Sequence, residues 1–221
     1  MSDKKIYSIT SWFVALLVPM AIVMLSARLL MTPLFLEIEY RLPGFPPDYY
    51  GFSMQDRLEW AKPSVEYLVN NAEINFLEDL KFLDGYSIYN QRELSHMHDV
   101  KLVVQKLLRV WYIDIALLVL SGLLALRGGW WNKFLLGVKR GGLLTLGLLI
   151  SLACFASISF WQFFAWFHSL FFSGDSWIFE YTDTLIRLFP LRFWQDAVIF
   201  IVVFSLLVAF LLGFKLKPGE N

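Results

Sequence analysis

Four long apolar stretches constrain the fold of this chain more than any other feature. A helix that crosses the hydrocarbon core of a bilayer needs about 20 mainly apolar residues. Hydrophobic residues make up 57% of the 221 residues and charged residues only 17%, a composition unlike that of a soluble domain. The stretches predict transmembrane helices at residues 9–36, 110–126, 141–166 and 193–214.

The segment between the first two spans, residues 37–109, is the one part with the composition of a soluble protein. It contains helical patterns over about residues 54–71, interrupted near Pro63, and over about 74–83. A third pattern begins near Glu93 and continues without Gly or Pro into the second span. The chain therefore predicts an all-α membrane protein with four transmembrane helices and a helical extracytoplasmic domain between spans one and two.

Composition also excludes several classes of protein. One cysteine, Cys154, is too few for a disulfide scaffold. Nineteen basic and nineteen acidic residues cancel, so no net charge attracts nucleic acid. We expect neither a nucleic-acid partner nor a disordered chain.

Basic residues in the short loops predict the orientation of the spans, because Lys and Arg concentrate on the cytoplasmic side. They are Lys4, Lys5, Arg127, Lys133, Lys139, Arg140, Lys215 and Lys217. The first span is expected to be an uncleaved anchor, since its apolar run exceeds that of a typical signal peptide. The predicted cytoplasmic segments are 1–8, 127–140 and 215–221, and the outward-facing segments are 37–109 and 167–192.

The three histidines, His96, His98 and His168, all fall in segments predicted to face outward. His96 and Asp99 are three residues apart, so a helix places them on one face. That face continues at helical spacing to Asp114 inside the second span, whereas His98 points elsewhere. A carboxylate within a span avoids lipid, so the stripe is expected to face the helix bundle.

Each of the four spans carries a polar residue at about the same level, under the outer leaflet: Arg28, Asp114, His168 and Asp196. This pattern indicates a site that opens to the outer headgroup region. Simpler interpretations remain for two of them, since Arg28 can snorkel to the headgroups and Asp196 can be a helix-start acid. The pair of His96 and Asp99 can likewise be a structural hydrogen bond.

Helix geometry leaves open whether His96 and His168 meet. If the helix from Glu93 through the second span is unbroken, His96 stands roughly 27 Å above Asp114, at 1.5 Å per residue. His96 and His168 then meet only if that helix bends, or if the segment after the third span extends outward.

Several strings of this sequence resemble the lipoprotein intramolecular transacylases of Gram-positive bacteria, a family of four-span membrane proteins of this size. Three strings are similar to the family's signature blocks, and further positions near the N-terminus match its pattern. The strings are residues 93–101, 167–177 and 182–190, and the further positions are Arg28, Glu39, Tyr40, residues 50–53 and Arg57.

The resemblance implies an enzyme of the bacterial cytoplasmic membrane that acts on diacylglyceryl-modified lipoproteins, without a cofactor. The sn-2 acyl chain would move to the α-amino group of the lipidated cysteine, which gives a lyso-form lipoprotein. His96 and His168 match the two motif histidines. We expect His168 to be the base or proton shuttle and His96, oriented by Asp99, to be its partner at the oxyanion or leaving oxygen.

Other residues and other functions complete the expectation. The second tier of candidates for substrate binding or support is Arg28, Lys101, Asp114, Asp183 and Trp177. One alternative is a metal-dependent membrane hydrolase with His96, His98, Asp99 and His168 as ligands. The rings of His96 and His98 would diverge by about 200° on a helix, which disfavours it. Another alternative is a lipoprotein-binding subunit without enzymatic activity.

Overall fold

The structure, a computed structural model, describes residues 3–219, without the side chains of residues 3–7 and 155–158. Within that range the fold is helical, and one isolated antiparallel bridge joins Lys81 to Ser87. The helices are α1 (Asp3–Leu30), α2 (Pro33–Glu39), α3 (Met54–Val69), α4 (Asn75–Glu78), α5 (Gln91–Arg127), α6 (Trp131–Ile158), α7 (Phe160–Ser169), α8 (Thr184–Leu188) and α9 (Leu191–Phe210), and a π-helical turn (Leu211–Lys215) follows α9.

Four helical segments in the described part of the chain are long and apolar enough to cross a membrane. They are Ser8–Leu30, Gln91–Arg127, Trp131–Cys154 and Leu191–Lys215. The predicted fold class, an all-α protein with four membrane helices, is confirmed.

The chain breaks after the first span, inside the stretch predicted as one helix over residues 9–36. Helix α1 ends at Leu30, and α2 starts at Pro33. Proline suits the first position of a helix because its missing N–H would have no partner there. Thr32 caps α2, since its side-chain oxygen accepts a hydrogen bond from the Phe35 N–H at 3.4 Å.

A second break divides the stretch predicted as one helix over residues 141–166. Ser159 has extended backbone angles, and its hydroxyl accepts a hydrogen bond from the Gln162 N–H at 3.3 Å. This serine therefore starts a new helix, α7, which carries His168. Apolar residues continue on both sides of the break, so the hydrophobic pattern alone does not reveal it.

The chain forms two compact units. The first unit comprises Met1–Ala27, Leu108–Ile158 and Phe200–Asn221. The second unit comprises Arg28–Leu107 and Ser159–Ile199.

In the first unit, small residues allow helices to approach closely. A Cβ atom at Gly141 of α6 would lie 2.4 Å from the Cβ of Val18, so only glycine fits there. The hydroxyls of Ser26 and Ser205 are 3.0 Å apart and form a buried hydrogen bond. Close backbone packing and hydrogen bonds between helices are the usual means of association in a bilayer, where burial of apolar surface gives no drive.

The second unit has a core of its own, which is built from the short helices and the membrane-helix segments within this unit. Helix α3 starts at a capping box between Ser53 and Asp56. It then runs through Pro63 to Val69, so the predicted interruption near Pro63 is wrong. Burial of its apolar face offsets the cost of the proline. The core side chains include Leu36, Tyr40, Leu58, Ala61, Val65, Tyr67, Leu77, Leu94, Leu188 and Phe193.

The pattern over residues 74–83 yields only the four-residue helix α4. The chain after it turns at Gly85, whose φ of +87° favours glycine. The Phe82 N–H then donates to the Tyr86 carbonyl at 2.8 Å. This hairpin-like turn uses the backbone groups that a longer helix would have needed.

Candidate active site

The second unit brings two of the three histidines together. The ring centroids of His96 and His168 are 6.5 Å apart, and the two ring planes differ by 19°. Helix α5, which carries His96, is unbroken, and α7 begins separately after Ser159. The break at Ser159 is thus the feature that allows the two histidines to meet.

His168 lies in an aromatic cage near the C-terminus of α7. Its side chain is buried, with 9% of the residue exposed. The ring contacts Phe164 at a centroid distance of 4.1 Å and stacks on Trp177 at 4.7 Å. An imidazole in such surroundings needs a hydrogen-bond partner. The backbone carbonyl of Phe164 is that partner.

The hydrogen bond of His168 fixes which ring nitrogen carries the proton. Nδ1 donates to the backbone carbonyl of Phe164 at 2.8 Å, because a carbonyl oxygen only accepts. In the neutral ring, Nε2 therefore holds a free lone pair. Burial lowers the pKa of His168, against the opposing effect of the Phe164 carbonyl. The ring is accordingly held neutral, as a base must be.

The turn after α7 positions Trp177. Gly174 has a φ of +65°, a conformation that L-residues with a side chain seldom adopt. It reverses the chain, so that Trp177 returns to stack on the ring of His168. Trp177, a second-tier candidate in the sequence, thus contacts a predicted catalytic histidine directly.

His96 lies between two phenylalanine rings. The centroids of Phe172 and Phe179 are each 5.2 Å from that of His96. Its Nδ1 atom is buried without a hydrogen-bond partner among the described residues. No hydrogen bond joins it to Asp99, which shares its helical face, so the expected orienting bond is not formed. A buried polar atom left unsatisfied in a structure is a position where a ligand or water is expected to bind.

A clamp built on Glu93 connects the start of α5, the helix that carries His96, to α8. Glu93 is 1% exposed, and its carboxylate accepts hydrogen bonds from two backbone N–H groups, those of Asn90 at 2.8 Å and Leu185 at 2.7 Å. The first bond belongs to a capping box, because Asn90 Oδ1 accepts from the Glu93 N–H in return. The second bond ties the start of α5 to α8.

Asp183 reinforces the same clamp. Its Oδ1 accepts a hydrogen bond from the Asn90 amide at 2.9 Å, and its Oδ2 forms an ion pair with Arg92 at 2.7 Å. The Arg92 guanidinium in turn lies 5.2 Å from the centroid of Phe179, which packs against His96. Asp183 therefore supports the site through other residues. The Asn90-x-x-Glu93 spacing was a capping signal in the sequence, but the bond to Leu185 had none.

Lys101 is held away from the histidines. Its ammonium lies 3.8 Å from the ring centroid of Tyr67 and donates to Asn70 Oδ1 at 3.1 Å and to the Ala72 carbonyl. These contacts fasten α5 to the end of α3. The structure does not bring Lys101 into the site.

Arg28, Asp114 and His98 each have different surroundings. Arg28 donates to the Met31 carbonyl at 3.0 Å at the end of α1. Asp114 belongs to the first unit, where it is buried and its Oδ2 has no hydrogen-bond partner within the described part of the chain. His98 is exposed.

One further acidic pair lies in the second unit. Glu39 is 2% exposed, and its carboxyl group lies near that of Asp196. Arg192 neutralises Asp196 by donating from Nε at 2.5 Å. Burial first, and then the neighbouring Asp196, raise the pKa of Glu39 to about 7. Glu39 thus holds the proton that two adjacent carboxyl groups must share.

This pair predicts a pH-dependent stability. Between the ordinary value of 4.5 and about 7, the folded protein binds a proton that the unfolded chain has lost. Its stabilising effect is complete below this window and disappears as the pH rises through it. Relative to wild type, Glu39→Gln should therefore gain about 2–3 kcal/mol in unfolding free energy at pH 8 compared with pH 4.5. Unfolding of the purified protein across this range measures the gain.

Glu59→Gln is the matched control, since Glu59 is exposed in the same unit. It should keep the pH dependence of the wild type. Parallel curves for wild type and Glu39→Gln would show that Glu39 does not hold the proton.

The described residues contain no group of three or more His, Cys, Asp or Glu side chains that could hold a metal ion together. His98, a required ligand in the metal-site alternative, is exposed while His96 and His168 stack. The donor set of that alternative is therefore not assembled.

Comparison with known sequences identifies relatives of this chain. Residues 12–194 match the family model described as "Lipoprotein intramolecular transacylase Lit". An uncharacterized protein of Aquifex aeolicus is 30% identical over 203 residues, which is 89% of this chain and 91% of the relative.

Solved structures give the same fold. The in meso structure of the membrane integral lipoprotein intramolecular transacylase Lit from Bacillus cereus matches with a TM-score of 0.74 and 22% identity, over 94% of this chain and 91% of that one. A variant of that protein with one histidine replaced by alanine matches with a TM-score of 0.57 and 23% identity, over 95% of this chain and 91% of that one.

Four membrane helices and a stacked histidine pair define a multi-pass integral membrane protein with a site suited to proton transfer. The match over residues 12–194 shows that the chain belongs to the lipoprotein intramolecular transacylase (Lit) family. The predicted family is confirmed. At the level of the family, the protein is a membrane transacylase of lipoproteins.

Proposed function

We propose that this protein moves the sn-2 acyl chain of a diacylglyceryl-modified cysteine to the α-amino group of the same cysteine. The product is a lyso-form lipoprotein. The observation that carries the proposal is the stacked pair of His96 and His168, in which one ring has a free base and the other an unpartnered buried nitrogen.

The reaction needs one proton to be removed and one to be delivered. The amine attacks the carbonyl carbon of the ester, so that a C–N bond forms and the C–O bond to glycerol breaks. His168 Nε2 accepts the proton that the amine releases, because Nδ1 is occupied by the Phe164 carbonyl. The glycerol oxygen takes up a proton as it leaves, so the overall proton balance is zero.

His96 acts at the oxygen atoms of the reaction. Its Nδ1 is the buried atom without a partner, and a substrate oxygen or a water bound to it would satisfy it. The aromatic rings of Phe172 and Phe179 pack against the His96 ring. Amine and ester are on one molecule, so proximity replaces an external acyl donor.

Mass spectrometry of lipoprotein N-termini tests the proposal. Cells that carry diacylglyceryl lipoproteins are compared with and without expression of this protein. We expect N-acyl, S-monoacylglyceryl termini only in the expressing cells. Termini that remain diacylated, or that become triacylated, would contradict the proposed reaction.

We further propose that both termini and the loop at residues 127–140 are cytoplasmic, so that the histidine pair faces outward. Support comes from the basic residues of the short loops. Residues 1–2 and 220–221 lie outside the described part of the chain, so the test uses other positions. In a Cys154→Ser background, Tyr86→Cys should react with a membrane-impermeant thiol reagent in intact cells, and Lys133→Cys only after lysis. The opposite labelling would reverse the orientation.

A further inference from the structure

A cavity of about 310 Å³ lies in the second unit, where the chain between α2 and α3 folds over the start of α3. Its walls are aromatic and proline rings, and its lining includes Phe45, Pro46, Phe52 and Met54. One permanently charged side chain, that of Arg57, also lines it. Arg57 therefore gives the cavity a positively charged wall.

Arg57 is 6% exposed, and its hydrogen-bonding capacity is only partly used. Nη1 donates to the Pro46 carbonyl at 2.7 Å, while Nε is buried without a partner among the described residues. The rings of Phe45 and Tyr40 lie 5.4 Å and 6.0 Å from the guanidinium carbon. Cation–π contacts of this kind compensate only part of the cost of burying a charge.

The other charged residue of the lining does not neutralise Arg57. Asp48 accepts hydrogen bonds from Arg187 at 2.9 Å and from the Phe52 N–H at 2.6 Å. Burial raises the pKa of Asp48, but the Arg187 guanidinium and backbone N–H groups outweigh it and hold the pKa below its ordinary value. Two arginines and one carboxylate leave a net charge of +1, so the cavity is complementary to a single negative charge.

The surface around the cavity indicates where that charge comes from. Met54, Tyr49 and Tyr50 are 45%, 87% and 52% exposed. On α2, which follows the first span, Leu34 and Ile38 are also exposed. Exposed apolar and tyrosine side chains next to a membrane helix are typical of the bilayer interface.

We infer that this cavity binds the phosphodiester group of an anionic membrane lipid, with Arg57 as its charged ligand. A phosphodiester carries one negative charge and presents acceptor oxygens to which a guanidinium donates strong hydrogen bonds. The apolar walls and exposed rim accommodate the adjoining glycerol and acyl segments. The inference concerns binding alone and holds or fails independently of the transacylase reaction.

Native mass spectrometry of the purified full-length protein, released from detergent micelles, tests the inference. The probe is dihexanoyl phosphatidylglycerol. Dihexanoylglycerol, inorganic phosphate and an acidic tripeptide are tested in parallel. We expect saturable binding of one phosphatidylglycerol molecule. Arg57→Gln should weaken this binding about tenfold or more, because it removes a charge-assisted hydrogen bond.

Two further variants make the result decisive. Met54→Trp narrows the mouth of the cavity without touching Arg57, and should also weaken binding, even if Arg57→Gln fails to accumulate. Lys106→Gln, which removes an exposed charge of the same unit, should bind like the wild type.

Three results would overturn the inference. Equal binding by wild type and Met54→Trp would place the lipid elsewhere. Equally tight binding of inorganic phosphate would make this a site for free anions. Binding of the acidic tripeptide in place of the lipid would make it a peptide site.

Discussion

His96→Ala and His168→Ala should each abolish formation of the lyso-form product, whereas His98→Ala should retain most of it. His168 supplies the free Nε2 lone pair, and His96 supplies the unpartnered Nδ1. Loss of a general acid–base group typically lowers the rate by about 10²–10⁴-fold. His98 is exposed, so its loss removes no group from the pair. The product fraction of lipoprotein N-termini in cells expressing each variant measures the effect.

The amount of each variant in the membrane must be measured as well, since a purely structural histidine would lower protein level instead of turnover. His98→Ala is the matched control, because it lies on the same helix as His96. Equal damage from His98→Ala at normal protein level would favour the metal-dependent hydrolase alternative.

Glu93→Ala should destabilise the second unit more than any surface substitution. It leaves the N–H groups of Asn90 and Leu185 without their acceptor. The Leu185 N–H is buried, and an unsatisfied buried donor costs about 1–3 kcal/mol, so we expect a loss of about 1–3 kcal/mol in unfolding free energy. Glu93→Gln retains one acceptor oxygen, so its unfolding free energy should lie between those of the wild type and Glu93→Ala. Unfolding of the purified variants in detergent, followed by tryptophan fluorescence, measures the difference.

The clamp also predicts a functional effect. Because the bond between Glu93 and Leu185 holds the start of α5, three residues before His96, against α8, Glu93→Ala should lower lyso-form production even where the protein still accumulates. Glu59→Ala, an exposed acid in the same unit, should change neither stability nor product. If Glu93→Ala unfolded with the same transition midpoint as the wild type, the clamp would contribute nothing to stability.

The fold class was predictable because apolar stretches of membrane-spanning length leave few alternatives. The meeting of His96 and His168 was not predictable. They are far apart in sequence, and their distance depends on the break at Ser159. That break lies within a continuous apolar run. The Ser159 hydroxyl caps the second of the two helices, α7.

The residues around the histidine pair also differ in whether a local sequence pattern reveals their partners. The helical pattern predicted the start of α5 near Glu93, two residues from its first residue, Gln91, and the capping box of Asn90 and Glu93 is a local pattern that marks the same start. The partners of Lys101 are Asn70, Ala72 and Tyr67, which no local pattern connects to it. A lysine near a motif histidine therefore suggested a substrate ligand, while the fold uses it to fasten two helices.

Transfer within a single molecule is the central claim, and a mixture of two synthetic lipopeptides tests it most directly. One carries an isotopically heavy peptide and one sn-2 chain; the other carries a light peptide and an sn-2 chain of different length. Incubated together with the purified protein, each peptide should receive on its α-amino group only the chain from its own sn-2 position, as mass spectrometry would show. Exchange of acyl chains between heavy and light peptides would contradict the account. Release of the sn-2 chains as free fatty acid would contradict it as well.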